Sequence, residues 1–139
     1  MKVDGVAMEF STFGSASMDT SVEQIAFYYV NGSGTSAASV NLVLDDNSMD
    51  MNFPRTYVMN NNSVNNLGFF KNNTDSDNNK YYTKVTGGAK GTTTVTVTKV
   101  KALSAGLIAI NGTFTATLYN KAGAKVEITE GEFFDVKTN

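Results

Sequence analysis

Apolar and polar side chains alternate with a period of two through most of this chain, the signature of half-buried strands. Gln24 to Val30 sets Ile25, Phe27 and Tyr29 on one side and Ala26, Tyr28 and Val30 on the other. Ser39 to Leu44 repeats the pattern with Val40, Leu42 and Leu44, and Asn31-Gly32-Ser33-Gly34-Thr35 between them is turn material, so the two segments predict a hairpin. Val3, the dipeptide Asp4-Gly5, then Val6, Met8 and Phe10 predict a smaller hairpin about a two-residue turn. Short strands are predicted at Thr56 to Met59, behind the only proline, Pro54, and at Leu67 to Phe70 and Tyr81 to Val85. The Asn-rich stretches around them place the longest loops between residues 45 and 80.

The last third is more regular. Thr92 to Lys101 opposes Thr94, Thr96 and Thr98 to Val95, Val97 and Lys99, a strand with one wet face. Leu107 to Tyr119 predicts a long strand, bulged around Asn111-Gly112. Asn120 to Ala124 turns it back onto Lys125 to Thr129, Glu130-Gly131 bends the chain, and Glu132 to Val136 closes the sheet. The whole predicts a single all-β domain over residues 1–139, an antiparallel β-sandwich or flattened barrel. At most one short helix is expected, near Asp19 to Gln24, capped by Asp19, Thr20 or Ser21.

Composition sharpens this reading. Charged residues are only 17% of the chain, and the polar positions are filled by Thr, Asn and Ser, which suits the solvent side of a pleated sheet. Net charge is −2 with no block of Lys or Arg, so nucleic acid is not expected as a partner; Lys90, Lys99 and Lys101 read as one edge of a solvated sheet. The chain has no cysteine and no histidine, which removes thiol nucleophiles, thiolate metal sites and the commonest general base near neutral pH. No stretch approaches a membrane span, so the chain as given is expected to be soluble, which leaves open a mature form whose leader was removed.

Candidate chemistry is sparse. Asp75, Asp77 and Asn79 put oxygen-bearing side chains at alternate positions, as calcium loops do, but an EF-hand would need glycine where Lys80 stands and glutamate where Thr86 stands. No cofactor is expected, with a looser calcium site at these residues as the one exception. Asp45, Asp46 and Asp50 form a second acidic cluster, and Glu127, Glu130 and Glu132 a third at a hairpin end. Aromatic residues come in adjacent pairs, Tyr28-Tyr29, Phe69-Phe70, Tyr81-Tyr82 and Phe133-Phe134. Strand neighbours point to opposite faces, so each pair should send one ring inward and one outward. Tyr28, Phe70 and Tyr82 are the candidate outward rings for stacking on a sugar or docking a protein. Asn31, Asn61, Asn72 and Asn111 begin sequons, which Asn-, Ser- and Thr-rich composition also generates by chance.

Two stretches carry a family resemblance: Lys2-Val3-Asp4-Gly5-Val6-Ala7-Met8-Glu9 at the start, and Ile110 to Leu118 with Val126 to Phe133 at the end. They resemble the opening and closing motifs of an uncharacterised family of small exported β-proteins of Bacteroidota. The resemblance implies a lipoprotein, with signal peptide and lipidated cysteine ahead of the first strand, and hence an envelope or cell-surface location. It supplies no activity and no catalytic residues. The expectation is therefore a non-catalytic envelope or surface module that binds a glycan or protein. The alternatives are a self-associating subunit of a surface filament or multi-protein assembly and, last, a small metal-dependent hydrolase.

Overall fold

The computed structural model describes residues 1–10, 16–19, 24–31, 37–45, 54–60, 66–72, 76–85, 87–102 and 108–137; for 16–19, 24–31, 45, 99–102, 108 and 135–137 it describes the backbone. Its strands are β1 (Lys2–Val3), β2 (Val6–Ala7), β3 (Ala16–Asp19), β4 (Gln24–Asn31), β5 (Ala38–Asp45), β6 (Arg55–Met59), β7 (Asn66–Phe70), β8 (Lys80–Tyr82), β9 (Thr92–Ala102), β10 (Ile108–Tyr119) and β11 (Lys125–Lys137). A single 3₁₀ turn, Asp77–Asn79, completes the regular structure of the described residues, among which no helix is long and apolar enough to cross a membrane.

All pairings among the described residues are antiparallel, and β10 is the hinge of the architecture. One of its edges runs along β11; the other is shared, with β9 alongside Ile108 to Thr117 and β8 taking over at Tyr119. The ladder therefore splits there into two layers. The first runs β6-β9-β10-β11-β1-β2, and the second runs β8-β7-β5-β4-β3. Their inner faces share one apolar core, with Leu42 and Leu44 of β5, Leu67 and Phe69 of β7, Val95 and Val97 of β9, Leu118 of β10 and Ile128 of β11 all buried. Burying each such side chain stabilises the fold by about 1.5–3 kcal/mol before the entropy of ordering is counted. The fold is an all-β antiparallel sandwich, as the alternation predicts.

The predicted hairpins form in register. Lys2 pairs with Ala7 across a turn in which Asp4 (φ 48°) and Gly5 (φ 81°) are both left-handed, the type I′ geometry that matches strand twist. Tyr29 pairs with Val40 in the β4–β5 hairpin. Where a helix is expected, Asp19 and Gln24 are instead cross-strand partners of β3 and β4, and the four residues between them lie outside the described ones.

Two further expectations are corrected. Lys125 to Thr129 and Glu132 to Val136 are not separate strands but parts of β11, whose register slips by one residue at Glu130. Glu130 takes a left-handed φ of 51° there, so the buried positions change from even (Val126, Ile128) to odd (Phe133). Nor does β11 close the sheet: β1 pairs with its outer edge, Lys2 opposite Thr129. The irregularity expected at Asn111-Gly112 is present, but the extra residues sit on the neighbours. Between Asn111 and Gly112 the β9 partner advances from Lys99 to Val97, and between Ile110 and Gly112 the β11 partner moves from Val136 to Phe133. The cause is crowding: a Cβ on Gly112 would run into the Phe133 ring and the Thr96 carbonyl.

Candidate ligand-binding site

The site is built where the two layers part. β8 extends only to Tyr82, shorter than the predicted Tyr81 to Val85: the Thr83 N–H still donates to the Leu67 carbonyl at 3.0 Å, but the Thr83 carbonyl turns away from β7 and accepts from the Gly91 N–H at 3.1 Å. The hydroxyl of Thr83 accepts from the Leu67 N–H at 3.2 Å and lies 2.6 Å from the Thr93 hydroxyl, with both threonines fully buried. Lys84 then makes a single bridge to Lys90. This anchors the alternation of the segment, with Tyr81, Thr83 and Val85 turned to the core and Lys80, Tyr82 and Lys84 to the other side.

Three of the four adjacent aromatic pairs divide as strand geometry requires; the side chains of Tyr28 and Tyr29 lie outside the described residues. Phe69 is in the core and its ring lies 6.2 Å from that of Tyr81. Phe70 and Tyr82 meet on the opposite face, edge to face, with centroids 5.7 Å apart and planes at 88°. Phe133 is buried while Phe134 is 73% exposed. Tyr82 is seated by Gly68, its cross-strand partner: a Cβ at that position would meet the tyrosine ring at 3.3 Å, so the bare backbone leaves room for the ring over it. The register carries this row onward from Tyr82 and Gly68 through Asn41 to Tyr28. Three interstrand spacings put Tyr28 about 14 Å from Tyr82 along the row. Thus Phe70 and Tyr82 form one contact pair, and Tyr28 shares the sheet row of Tyr82 at a distance.

Beside Tyr82 the surface sinks into a hollow of about 280 Å³ lined by Asn66, Lys80, Tyr82, Lys84 and Val85, with Asp77 and Lys121 completing it. The Tyr82 phenol is pushed above its ordinary value of 10.0, first by burial and then by the Asp77 carboxylate, so it remains an O–H donor at neutral pH. The Asn66 side-chain oxygen accepts from the Lys84 backbone N–H at 3.4 Å. Asn120, itself buried, donates to the Asn78 carbonyl at 2.9 Å and accepts from the Ala124 N–H at 2.8 Å. That ties the β10–β11 turn to the 3₁₀ turn.

The proposed calcium residues fall on this same turn. The Asp77 carboxylate receives Lys121 at 3.2 Å, Asn79 closes the 3₁₀ turn, and Asp75 lies outside the described residues. Among the described residues no three His, Cys, Asp or Glu side chains gather about a common point. Of the second acidic cluster, Asp45 ends β5 opposite Gln24, while Asp46 and Asp50 lie outside the described residues.

The third acidic group is on the outer face of the first layer. Glu127 receives Lys125 at 3.0 Å and the Thr117 hydroxyl at 2.8 Å, and these two contacts, the lysine first, hold its carboxyl below the ordinary 4.5. Glu130 receives Lys2 at 2.7 Å. A second hollow of about 360 Å³ lies there, walled by Thr94, Thr96, Thr113 and Thr115 with Glu130 and Glu132. It offers hydroxyls without an exposed ring.

Sequence reasoning finds the two rings but misses the lysines around them. Lys80 and Lys84 were within reach, since each stands two residues from Tyr82 and so shares its side. Lys121 was not, because only the turn after β10 brings it over. No family model matches the chain, and no curated protein or solved structure is significantly similar to it.

Proposed function

We propose that this chain is a non-catalytic binding module of the bacterial envelope or cell surface, and that its ligand is a glycan. The observation that carries the reading is Tyr82, braced by Phe70 and seated on Gly68, beside a hollow with polar walls. An aromatic ring fixed next to hydrogen-bonding groups suits a sugar, whose C–H face packs on the ring while its hydroxyls reach the donors and acceptors around it. A protein partner needs a far broader surface, about 800 Å² on each side, than a hollow of this size provides. Envelope location rests on the resemblance of the two terminal motifs to the exported Bacteroidota family, in which lipidation ahead of the first strand supplies the anchor. Contact in place of catalysis is supported by the state of the carboxylates. Glu127, Glu130 and Asp77 each face a lysine, and a proton donor for glycoside hydrolysis would need a carboxyl raised by burial.

The test is retention of labelled protein on a glycan array, with Tyr82→Ala and Phe70→Ala compared with the parent. The reading predicts a bound glycan class whose affinity falls about tenfold in Tyr82→Ala. An array on which nothing is retained, or a binder indifferent to Tyr82→Ala, contradicts it.

One observation favours a second reading, a subunit of a surface assembly. Val58 is 62% exposed on β6, which among the described residues pairs with β9 alone and so presents a strand edge. Light scattering decides between the two. The binding module gives a mass of 14.9 kDa at every concentration, and the assembly subunit a mass that grows with concentration.

A further inference from the structure

We infer that the hollow beside Tyr82 selects a sugar carrying a carboxylate, of the uronic-acid type. The inference rests on the glycan reading above and goes beyond it in naming the class. Its basis is an inversion of charge. The chain as a whole has a net charge of −2, yet the described lining carries the ammoniums of Lys80, Lys84 and Lys121 against the single carboxylate of Asp77. That carboxylate is already matched by Lys121 at 3.2 Å. Lys84 makes no ion pair with any described residue, so its charge faces the hollow unmatched.

Spacing makes the arrangement selective. Tyr82 and Lys84 stand at alternate positions of one extended segment, so the Lys84 side chain is rooted about 7 Å from the ring along the strand. A sugar ring lying on Tyr82 has its substituents pointing outward in its own plane, and a carboxylate on that rim comes within reach of the flexible Lys84 chain. The phenol O–H, held protonated, and the Asn66 side chain are left for the hydroxyls. The contacts are those of point charges on long stems: they favour a carboxylate over a neutral hydroxymethyl group and are weakened by salt.

Calorimetric titration of the intact chain with oligogalacturonate, its fully methyl-esterified form and inorganic phosphate tests this. The expected result is that the acid binds about tenfold or more tightly than the ester, with the advantage shrinking as salt rises from about 20 to about 200 mM. The variant Lys84→Gln, checked for an unaltered melting temperature, should bring the ratio of acid to ester affinity within about twofold. Equal affinity for acid and ester overturns the charge selection while the glycan reading stands. Phosphate displacing the oligogalacturonate at its own affinity overturns the sugar acid in favour of a general anion site. No binding by either saccharide, together with an empty array, overturns both.

Discussion

Thr83 keeps half of its place in the β7–β8 ladder, its N–H donating to the Leu67 carbonyl at 3.0 Å while its own carbonyl accepts from the Gly91 N–H at 3.1 Å. Its hydroxyl takes the Leu67 N–H and contacts the Thr93 hydroxyl at 2.6 Å, a buried side-chain tie between the layers beside those backbone bonds. Removing one member of a buried hydroxyl pair strands the other, so Thr83→Val should cost about 1–3 kcal/mol. Adding Thr93→Val removes one of the stranded groups, and the double variant should be more stable than the sum of the two losses. Urea unfolding of the four forms measures this coupling; strictly additive losses would contradict it. Parity already put Thr93 on the side of Val95 and Val97, and Thr83 on that of Tyr81 and Val85. What could not be read was that these two inward hydroxyls meet, because that depends on how the layers split along β10. Glu127 is the second residue with a measurable signature. Its folded pKa is lowered, so its contribution to stability is complete above the ordinary 4.5 and is lost as pH falls through the folded value. Because the pair is exposed, the effect on stability is small, and the direct readout is the carboxyl carbon shift. Its midpoint should lie below 4.5 and rise in Lys125→Met; a midpoint at or above 4.5 in the parent would contradict the contact.

At the scale of the element, the strands were legible wherever one face is wet and the other buried, as in the Thr-Val alternation of β9 and the Val40-Leu42-Leu44 series of β5. Alternation fails as a guide where the backbone gains a residue. Even-numbered burial gives way to odd within β11, so Glu130-Gly131 reads as a bend in sequence though the strand continues past it. Two glycines mark the two physical reasons a strand protein uses them. Gly112 is required by space, since its missing Cβ would collide with the Phe133 ring and the Thr96 carbonyl; Gly5 has open space around it and is required by its φ of 81°. Gly112→Ala should therefore destabilise by about 2–3 kcal/mol through overpacking, and Gly5→Ala by about 1 kcal/mol through backbone strain alone. Denaturant midpoints separate them. A neutral Gly112→Ala would mean that β9 and β11 are less tightly drawn together than the bulges imply.

For the whole molecule, stability comes from the shared interior, and the proposed binding from the corner where the layers part. Leu42 is fully buried between them, so Leu42→Ala should cost about 2–5 kcal/mol, while Val58→Ala on the exposed edge of β6 should stay within about 0.5 kcal/mol. Thermal and urea unfolding of the pair checks that division, and similar losses from both would contradict it. The outward rings Phe70 and Tyr82 could be nominated from the sequence because strand neighbours face opposite ways. The hollow could not, since it needs β7, β8 and the β10–β11 turn brought side by side, with Asn120 pinning that turn to the 3₁₀ turn. The most direct test of the account is to map amide shifts of the ¹⁵N-labelled chain during titration with oligogalacturonate. The account predicts movements concentrated at Asn66, Gly68, Phe70, Tyr82, Lys84 and Lys121, with Thr94, Thr96, Thr113 and Thr115 still. Shifts centred on those threonines instead, with the Tyr82 corner silent, would contradict it.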